Sequence, residues 1–195
     1  MNQLINAVRG FRTLFVVATG SSDRSRWEKS ESFRTNWKHR NAAIAARVAA
    51  KSSVLDLGCG EMFLREFLPA DCRYQPVDLV SRSPETIVCD FNNKELPPPA
   101  RYDYVVCSGL LEYIHDVDWF VNNIVRYGRH FVVTYCSREQ YPDRWFRLRN
   151  GWVNGFSADE VVALFVRAGV KLRFHTEVEL QHLFEFVAAD ADSNV

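Results

Sequence analysis

Residues 54–60 read Val54-Leu55-Asp56-Leu57-Gly58-Cys59-Gly60, a short apolar run that ends in two glycines. The run predicts a buried β-strand. The apolar residues that follow predict a helix, closed by a proline: Phe63, Leu64, Phe67, Leu68 and then Pro69. A strand that enters a glycine turn and then a helix lets the backbone approach a ligand closely. A Gly-x-Gly pair alone is a weak signal, because a turn that binds nothing uses it equally well.

Strand and helix patterns alternate on both sides of this stretch. Further β-type runs are expected at residues 73–78, 86–89, 102–107 and 129–135, and helices at residues 30–50 and 118–127. Alternating strands and helices indicate a parallel sheet covered on both faces. The segment between the second and third strands, residues 80–85, is too short for a full helix and predicts a loop.

The last third of the chain changes character. Ser157 and Glu160 form a capping-box pattern before an apolar helical stripe, and Gly169 is a natural helix terminator. Two β-type runs follow at residues 171–176 and 183–188, joined by about six residues. That connection is too short for a parallel crossover, so the two runs are expected to pair as an antiparallel hairpin.

Carboxylates end three successive predicted strands. Asp56 precedes the glycine turn, Asp78 ends the second strand and Asp90 ends the third. An acidic residue in the position of Asp78 is placed to accept hydrogen bonds from the two hydroxyls of a ribose. A purely structural role for one of these residues, Asp90 in particular, stays open at this point.

The stretch at residues 54–60 resembles the first motif of class I S-adenosylmethionine-dependent methyltransferases. Pro76-Val77-Asp78-Leu79 resembles their ribose-binding motif, Cys89-Asp90-Phe91 their adenine-contacting motif, and residues 102–116 their fourth strand with the loop after it. Residues 156–170 resemble their late helix. The resemblance covers residues 30–189. It implies an α/β fold with a doubly wound, Rossmann-like sheet of seven strands, mostly parallel with a C-terminal antiparallel hairpin.

The same resemblance implies S-adenosylmethionine as cofactor, with S-adenosylhomocysteine as product. Asp56 is then expected to hold the cofactor's amino group, Asp78 its ribose, and Asp90 with Phe91 its adenine. The residues expected to bind the cofactor are Asp56, Gly58, Cys59, Gly60, Asp78, Leu79, Asp90, Phe91, Ser108, Gly109 and Leu110. One departure is Met62, which stands where the family's loop usually has a third glycine, so a small displacement of the helix is expected there.

The acceptor side is harder to derive, because transfer from an activated methyl donor needs a general base only for some acceptors. His115 is the first candidate base, since its loop follows the fourth strand and its ordinary pKa suits proton removal near neutrality. Glu112, Tyr113 and Tyr135 are weaker candidates. The expected acceptor contacts are Tyr113, Tyr135, Trp152 and Asn154. The helix at residues 30–50, with Trp37, His39 and Arg40, is a candidate lid, or else a simple packing helix.

Composition excludes several classes. The chain has 195 residues, of which 47% are hydrophobic, and 24 Lys and Arg balance 24 Asp and Glu, so nothing indicates nucleic acid or an anionic membrane as the main partner. Five cysteines lack metal spacing, which predicts free thiols, no metal site and a cytoplasmic location. The apolar patch at residues 14–18 is too short to span a bilayer. We expect an N-terminal segment, residues 1–29, partly flexible, before a methyltransferase domain at residues 30–195; the oligomeric state stays open.

The expected function is therefore methyl transfer to a small-molecule or glycan-type acceptor by in-line displacement. One alternative is a non-catalytic domain of the same fold that binds a protein partner. A nicotinamide-dependent oxidoreductase is less favoured, because Phe63 stands where its loop usually ends in glycine or alanine. Binding of S-adenosylmethionine separates the methyltransferase from the non-catalytic domain. Protection from thermal unfolding by NAD, without protection by S-adenosylhomocysteine, would favour the oxidoreductase.

Overall fold

A computed structural model describes residues 2–29 and 37–189 of the chain. Its strands are β1 (Ser53–Leu57), β2 (Arg73–Asp78), β3 (Ile87–Val88), β4 (Tyr102–Ser108), β5 (Gly128–Tyr135), β6 (Val170–Val178) and β7 (Gln181–Ala188). Its helices are α1 (Asn2–Thr19), α2 (Arg24–Trp27), α3 (Lys38–Ala45), α4 (Val117–Ile124), α5 (Arg144–Arg149) and α6 (Ala158–Arg167). Strands and helices alternate as the sequence predicts.

The strands form one seven-stranded sheet in the order β3-β2-β1-β4-β5-β7-β6. All neighbouring pairs from β3 to β5 are parallel, and β7 runs antiparallel to both β5 and β6. The predicted seven-stranded sheet with its terminal hairpin is thus confirmed. The strand order reverses between β1 and β4, which opens a crevice at the carboxyl ends of these two strands.

Both faces of the central strands β1, β4 and β5 are covered, whereas β6 at the edge is mostly exposed. Successive side chains of a strand point to opposite faces, so each of these central strands contributes to two cores. Leu55 and Val105 lie in the larger core cluster, with α4 and α6. Val54 and Val106, one position away on the same strands, lie in a smaller cluster with α3. Near-continuous apolar strands are what this two-sided burial requires.

Two helices differ from the predictions. The helix expected at residues 30–50 is α3, Lys38–Ala45, and residues 30–36 lie outside the described residues. After Ala45 the chain tightens, with Arg47 N–H donating to the carbonyl of Ile44, because it must turn into β1. The helix expected after the glycine turn is one 3₁₀ turn, Phe63–Glu66, because Met62 is left-handed (φ 57°) and Pro69 follows closely.

The ends of the late elements agree closely with the sequence. Ser157 accepts a hydrogen bond from the Glu160 N–H while the Glu160 carboxylate accepts one from the Ser157 N–H, so the capping box is confirmed. The hairpin turn is tighter than expected: only Glu179 and Leu180 connect β6 to β7, both with positive φ. Successive left-handed residues suit a two-residue turn that follows the twist of the strands.

The N-terminal segment is helical and lies on the body of the protein. α1 packs on α5, with the rings of Phe11 and Trp145 at 5.6 Å in an edge-to-face arrangement. Among the described residues, no helix is long and apolar enough to cross a membrane. The five cysteines are free thiols.

Candidate active site

A cavity of about 480 Å³ opens at the carboxyl ends of β1, β2 and β4. It is the crevice that the strand order predicts. All eleven residues expected to bind the cofactor line it, from Asp56 to Leu110, and so do two of the expected acceptor contacts, Tyr113 and Trp152. Parallel strands bring these residues together because their carboxyl ends meet at one edge of the sheet.

The glycine turn forms the floor of the cavity. The backbone N–H groups of Gly58 and Cys59 both donate to the carbonyl of Val77, at 2.8 and 3.1 Å, which ties the turn to β2. Gly58 has a φ of +73°, and a Cβ there would lie 2.9 Å from Cδ1 of Leu110. Both the backbone conformation and the contact with Leu110 therefore require glycine.

Asp56 is almost completely buried at the end of β1. Its Oδ2 accepts a hydrogen bond of 2.6 Å from the hydroxyl of Tyr74, whereas its Oδ1 contacts no polar partner. Burial raises the pKa of this carboxyl from 3.8 to about 7, and the Tyr74 hydrogen bond opposes the shift. A buried carboxylate oxygen without a partner is a place where a ligand's hydrogen-bond donor fits.

Asp78, at the end of β2, is held by the loops around it. Its Oδ2 accepts from the N–H of Gly60 at 2.8 Å and its Oδ1 from the N–H of Val80 at 3.1 Å. Burial raises the pKa of the Asp78 carboxyl, and these backbone donors work in the opposite direction. Each carboxylate oxygen keeps a second lone pair for a ligand.

Asp90 connects the cavity rim to the N-terminal segment. Its Oδ1 accepts from the Ser22 hydroxyl at 2.6 Å and from the N–H of Asn92 at 3.1 Å. The Asn92 side chain donates to Ser22 and to the carbonyl of Tyr113. Asp90 therefore has a structural role, because it ties the N-terminal segment to the loop at Asn92, and it also lines the cavity.

Two further charged side chains are buried at the cavity, Arg40 and Glu112. Burial lowers the pKa of Arg40, while the charge of Glu112 opposes that shift. Burial raises the pKa of Glu112, whose Oε1 accepts from the N–H of Cys136 at 2.8 Å. The Arg40 guanidinium reaches Gln181 at 3.3 Å and lies over the Trp37 ring. Arg40 Nε and Glu112 Oε2 are both without a partner.

Aromatic rings form the opposite wall. Trp27 meets Tyr113 edge to face at 4.8 Å, and the indole N–H of Trp152 donates to the Tyr113 hydroxyl at 3.2 Å. Tyr141 and Phe146 stack next to Trp152. These rings come from three separate segments of the chain, and no pattern in the sequence indicated that Trp27 would join them.

Sequence reasoning also missed other parts of the lining. Residues 21–23 and 26–27 of the N-terminal segment border the cavity, as do residues 178–181 around the β6–β7 turn. No local signal marks these contacts, because they depend on how distant segments pack. Arg40 and Trp37, which the sequence placed in a candidate lid, do line the cavity; Arg40 lies four residues before Ile44 and shares the buried face of α3.

His115 does not line the cavity, which corrects its place in the site. Its Nε2 lies 3.1 Å from the carbonyl of Ser21, and its backbone N–H donates to Asn92. The loop turns after Ile114, so the imidazole faces the N-terminal segment. We therefore do not assign His115 as the general base.

Tyr135 and Asn154 are also placed elsewhere than expected. Tyr135 is fully buried, and its hydroxyl donates to Asn154 Oδ1 at 2.7 Å. The Asn154 amide donates to the carbonyls of Leu111 and Ile114, at 2.7 and 2.9 Å. Neither residue lines the cavity. They hold the loop after β4 against the chain before α6, so we do not assign them as acceptor contacts.

A family model described as a methyltransferase domain matches residues 29–175, more than half of the chain. The chain belongs to the class I S-adenosylmethionine-dependent methyltransferase family. No curated protein matches the sequence. The matched region of this methyltransferase domain contains every residue expected to bind the cofactor.

Solved structures share the fold of this methyltransferase domain. The chain bound to the Trm112 methyltransferase activator of Haloferax volcanii superposes with a TM-score of 0.69 and 16% identity, over 86% of this chain and 98% of that one. The 1,6-didemethyltoxoflavin-N1-methyltransferase of Burkholderia thailandensis gives a TM-score of 0.63 and 19% identity, over 94% and 88%. CalO1, a methyltransferase of calicheamicin biosynthesis, superposes with a TM-score of 0.62 and 18% identity, over 78% of this chain and 53% of CalO1. This chain thus spans about half the length of CalO1.

Proposed function

We propose that the protein binds S-adenosylmethionine in this cavity and transfers its methyl group to a small-molecule or glycan-type acceptor. One observation carries the proposal: the unpartnered Asp56 oxygen and the Asp78 carboxylate border the same cavity on either side of the glycine turn. The neighbouring structures support it, since CalO1 was crystallised with S-adenosylhomocysteine and the Burkholderia enzyme with S-adenosylhomocysteine and 1,6-didemethyltoxoflavin.

The lining residues fit this cofactor chemically. Asp56 Oδ1 is a buried acceptor for an ammonium group, and Asp78 offers two oxygens to a pair of ribose hydroxyls. Phe91 is held beside the cavity by its packing on Phe120, with ring centroids at 5.0 Å, and gives an apolar surface for a purine. Leu110 covers Gly58. These are the roles that we assign to the four side chains.

S-adenosylmethionine supplies an activated methyl group, so the protein's part is to align the acceptor and keep water out. We place the acceptor between the aromatic wall and the buried pair Arg40 and Glu112. Tyr113 and Trp152 fix one another through their hydrogen bond and present flat faces for an aromatic ring or the apolar face of a sugar. Arg40 gives this end a buried positive charge that suits an acceptor oxygen.

We assign the chain two parts, a methyltransferase domain at residues 30–195 and an N-terminal segment at residues 1–29. Within that segment, Val16, residues 21–23 and residues 26–27 border the cavity. Ser22 is tied to Asp90, and Trp27 is packed on Tyr113. The segment therefore contributes to the enclosure that an in-line transfer needs.

Calorimetric titration tests the cofactor half of the proposal. Micromolar binding of S-adenosylmethionine and S-adenosylhomocysteine is expected for the wild type. Asp118→Ala is the matched control, because Asp118 is an exposed carboxylate that pairs with Arg167 on the surface. A folded wild type that binds neither ligand would leave the non-catalytic alternative, and protection by NAD alone would favour an oxidoreductase.

Mass spectrometry tests the transfer half. The protein is incubated with S-adenosylmethionine and a panel of phenols, heteroaromatic compounds and monosaccharides, and the products are searched for a gain of one methyl group. A product that forms with the wild type and not with Asp78→Ala is expected. If the cofactor binds and every acceptor class stays unmodified, including polymeric glycans, the acceptor assignment is wrong.

A further inference from the structure

The outer side of α1 carries an apolar stripe that stays largely exposed among the residues that the structure describes. Val8, Phe11 and Phe15 are separated by three and four residues, so they share one side of the helix. Their exposed fractions are 60%, 65% and 68%. Gly10, Thr13 and Val16 of the same helix are buried and lie away from the stripe, toward the body of the protein. An amphipathic helix would normally turn its apolar residues inward.

Packing on α5 fixes this orientation. A Cβ at Gly10 would lie 2.7 Å from the Trp145 ring, so the two helices touch closely at the glycine. Phe11 meets the edge of the same ring at 5.6 Å. Rotating α1 to bury the stripe would break both contacts. The stripe is therefore held outward by the fold.

The charge near the stripe is mostly positive, although Arg12 pairs with Asp23 and Asp143 caps the start of α5. Residues 1–22 contain Arg9 and Arg12 and no Asp or Glu, although the whole chain has 24 residues of each sign. The neighbouring helix α5 has the sequence Arg-Trp-Phe-Arg-Leu-Arg, again without an acidic residue. Arg9 and Arg144 are exposed. The balanced net charge of the chain conceals this basic region.

We propose that α1 docks on an anionic lipid surface. Aromatic and aliphatic side chains that enter the acyl boundary, with arginines beside them for the phosphate groups, are the combination that such surfaces bind. The stripe consists of three side chains on a single helix, whereas each partner of a stable protein interface usually contributes about 20–30 residues and buries roughly 800 Å². A lipid surface needs only such a stripe.

Docking also places the cavity close to the lipid. Val16, the residue directly after Phe15, is buried and lines the cavity, and so do residues 21–23 just after the helix. The cavity wall and the docking stripe thus belong to the same short segment. An acceptor carried in or on the membrane would reach the cavity along this side.

Vesicle co-sedimentation tests the docking. The full chain is mixed with vesicles of phosphatidylcholine containing phosphatidylglycerol, and with vesicles of phosphatidylcholine alone. Binding to the anionic vesicles is expected, weakened by added salt, and at least tenfold weaker for Val8→Ser combined with Phe15→Ser. The matched control is Val166→Ser, which removes a valine that is 51% exposed on α6, away from α1.

A second variant tests the charge and guards against misfolding of the first. Replacing Arg9 and Arg144 by glutamine should weaken binding to anionic vesicles about fivefold per arginine. Equal affinity for both vesicle types, or no binding by the folded wild type, would overturn the proposal. A dimer seen by light scattering that is lost in the Val8 and Phe15 variant would also overturn it, since a second copy would then occupy the stripe.

Discussion

The hydroxyl of Tyr74 donates a hydrogen bond of 2.6 Å to Oδ2 of Asp56 and leaves Oδ1 of that buried carboxyl without a partner. The two residues lie on adjacent parallel strands, β1 and β2. Tyr74 thus fixes the orientation of the carboxyl at the glycine turn while keeping one oxygen for a ligand.

Ligand affinity should depend on pH through Asp56. Burial raises the pKa of this carboxyl to about 7, so below neutrality it is protonated and accepts an ammonium group poorly. Affinity for S-adenosylhomocysteine is expected to fall by up to tenfold per pH unit below about 7. Tyr74→Phe removes a group that favours the charged form, so the midpoint should move to higher pH. Calorimetry between pH 5.5 and 8.5 measures both; a flat profile for the wild type would contradict the assignment.

Asp56→Asn should stabilise the ligand-free fold while it weakens cofactor binding. The carboxyl ionises near 3.8 in the unfolded chain and near 7 in the folded one, so its neutral form stabilises the fold at low pH. That stabilisation is lost between about pH 4 and pH 7. The amide of Asp56→Asn does not ionise, so this variant keeps the stability that the wild type loses. Its melting temperature should exceed that of the wild type by about 3 °C or more at pH 8 and by less at pH 5. An equal change at both pH values would show that Asp56 does not titrate in this range.

Asp78→Ala should weaken binding of S-adenosylhomocysteine by about 1–3 kcal/mol, through loss of charge-assisted hydrogen bonds. The variant also releases the N–H groups of Gly60 and Val80. Titration calorimetry on protein shown to be folded by circular dichroism measures the change. Asp118→Ala should bind as the wild type does, and an unchanged affinity for Asp78→Ala would remove Asp78 from the site.

Gly58→Ala and Gly20→Ala form a matched pair. Both glycines have positive φ, +73° and +66°, so both substitutions strain the backbone by about 1 kcal/mol. Only at Gly58 does the new Cβ meet Leu110, at 2.9 Å; at Gly20 nothing lies within 4 Å. The melting temperature should therefore fall further for Gly58→Ala than for Gly20→Ala, and only Gly58→Ala should lose affinity for S-adenosylhomocysteine. Equal effects would mean that Leu110 moves aside without consequence.

Asn154→Ala should cost stability and spare the ligand. It removes the hydrogen bonds from the Asn154 amide to the carbonyls of Leu111 and Ile114 and the acceptor of the Tyr135 hydroxyl proton, which costs about 2–4 kcal/mol. Urea denaturation measures this loss. Folded Asn154→Ala protein should keep the wild-type affinity for S-adenosylhomocysteine. A large loss of affinity at unchanged stability would return Asn154 to the site.

The sequence was most informative where chemistry depends on a local pattern. The glycine turn after an apolar strand, the acidic residues at the ends of β1 and β2, and the capping box of α6 each need particular residue types at fixed spacing. Hence the fold was predicted, and the cofactor residues that the sequence grouped together line one cavity. The helix after Gly60 was predicted too long, because the left-handed conformation of Met62 has no marker in the sequence.

Long-range packing decided the rest. The imidazole of His115 and the side chains of Tyr135 and Asn154 have the right chemistry in the right loops, yet a turn of the chain and one hydrogen-bonded pair direct them away from the cavity. Trp27 and Arg40 approach it from segments far along the sequence. Periodicity and spacing determine which strands and turns form, because those depend on neighbours a few residues apart. Which side chains share a cavity depends on contacts between distant segments, and only the tertiary structure specifies those.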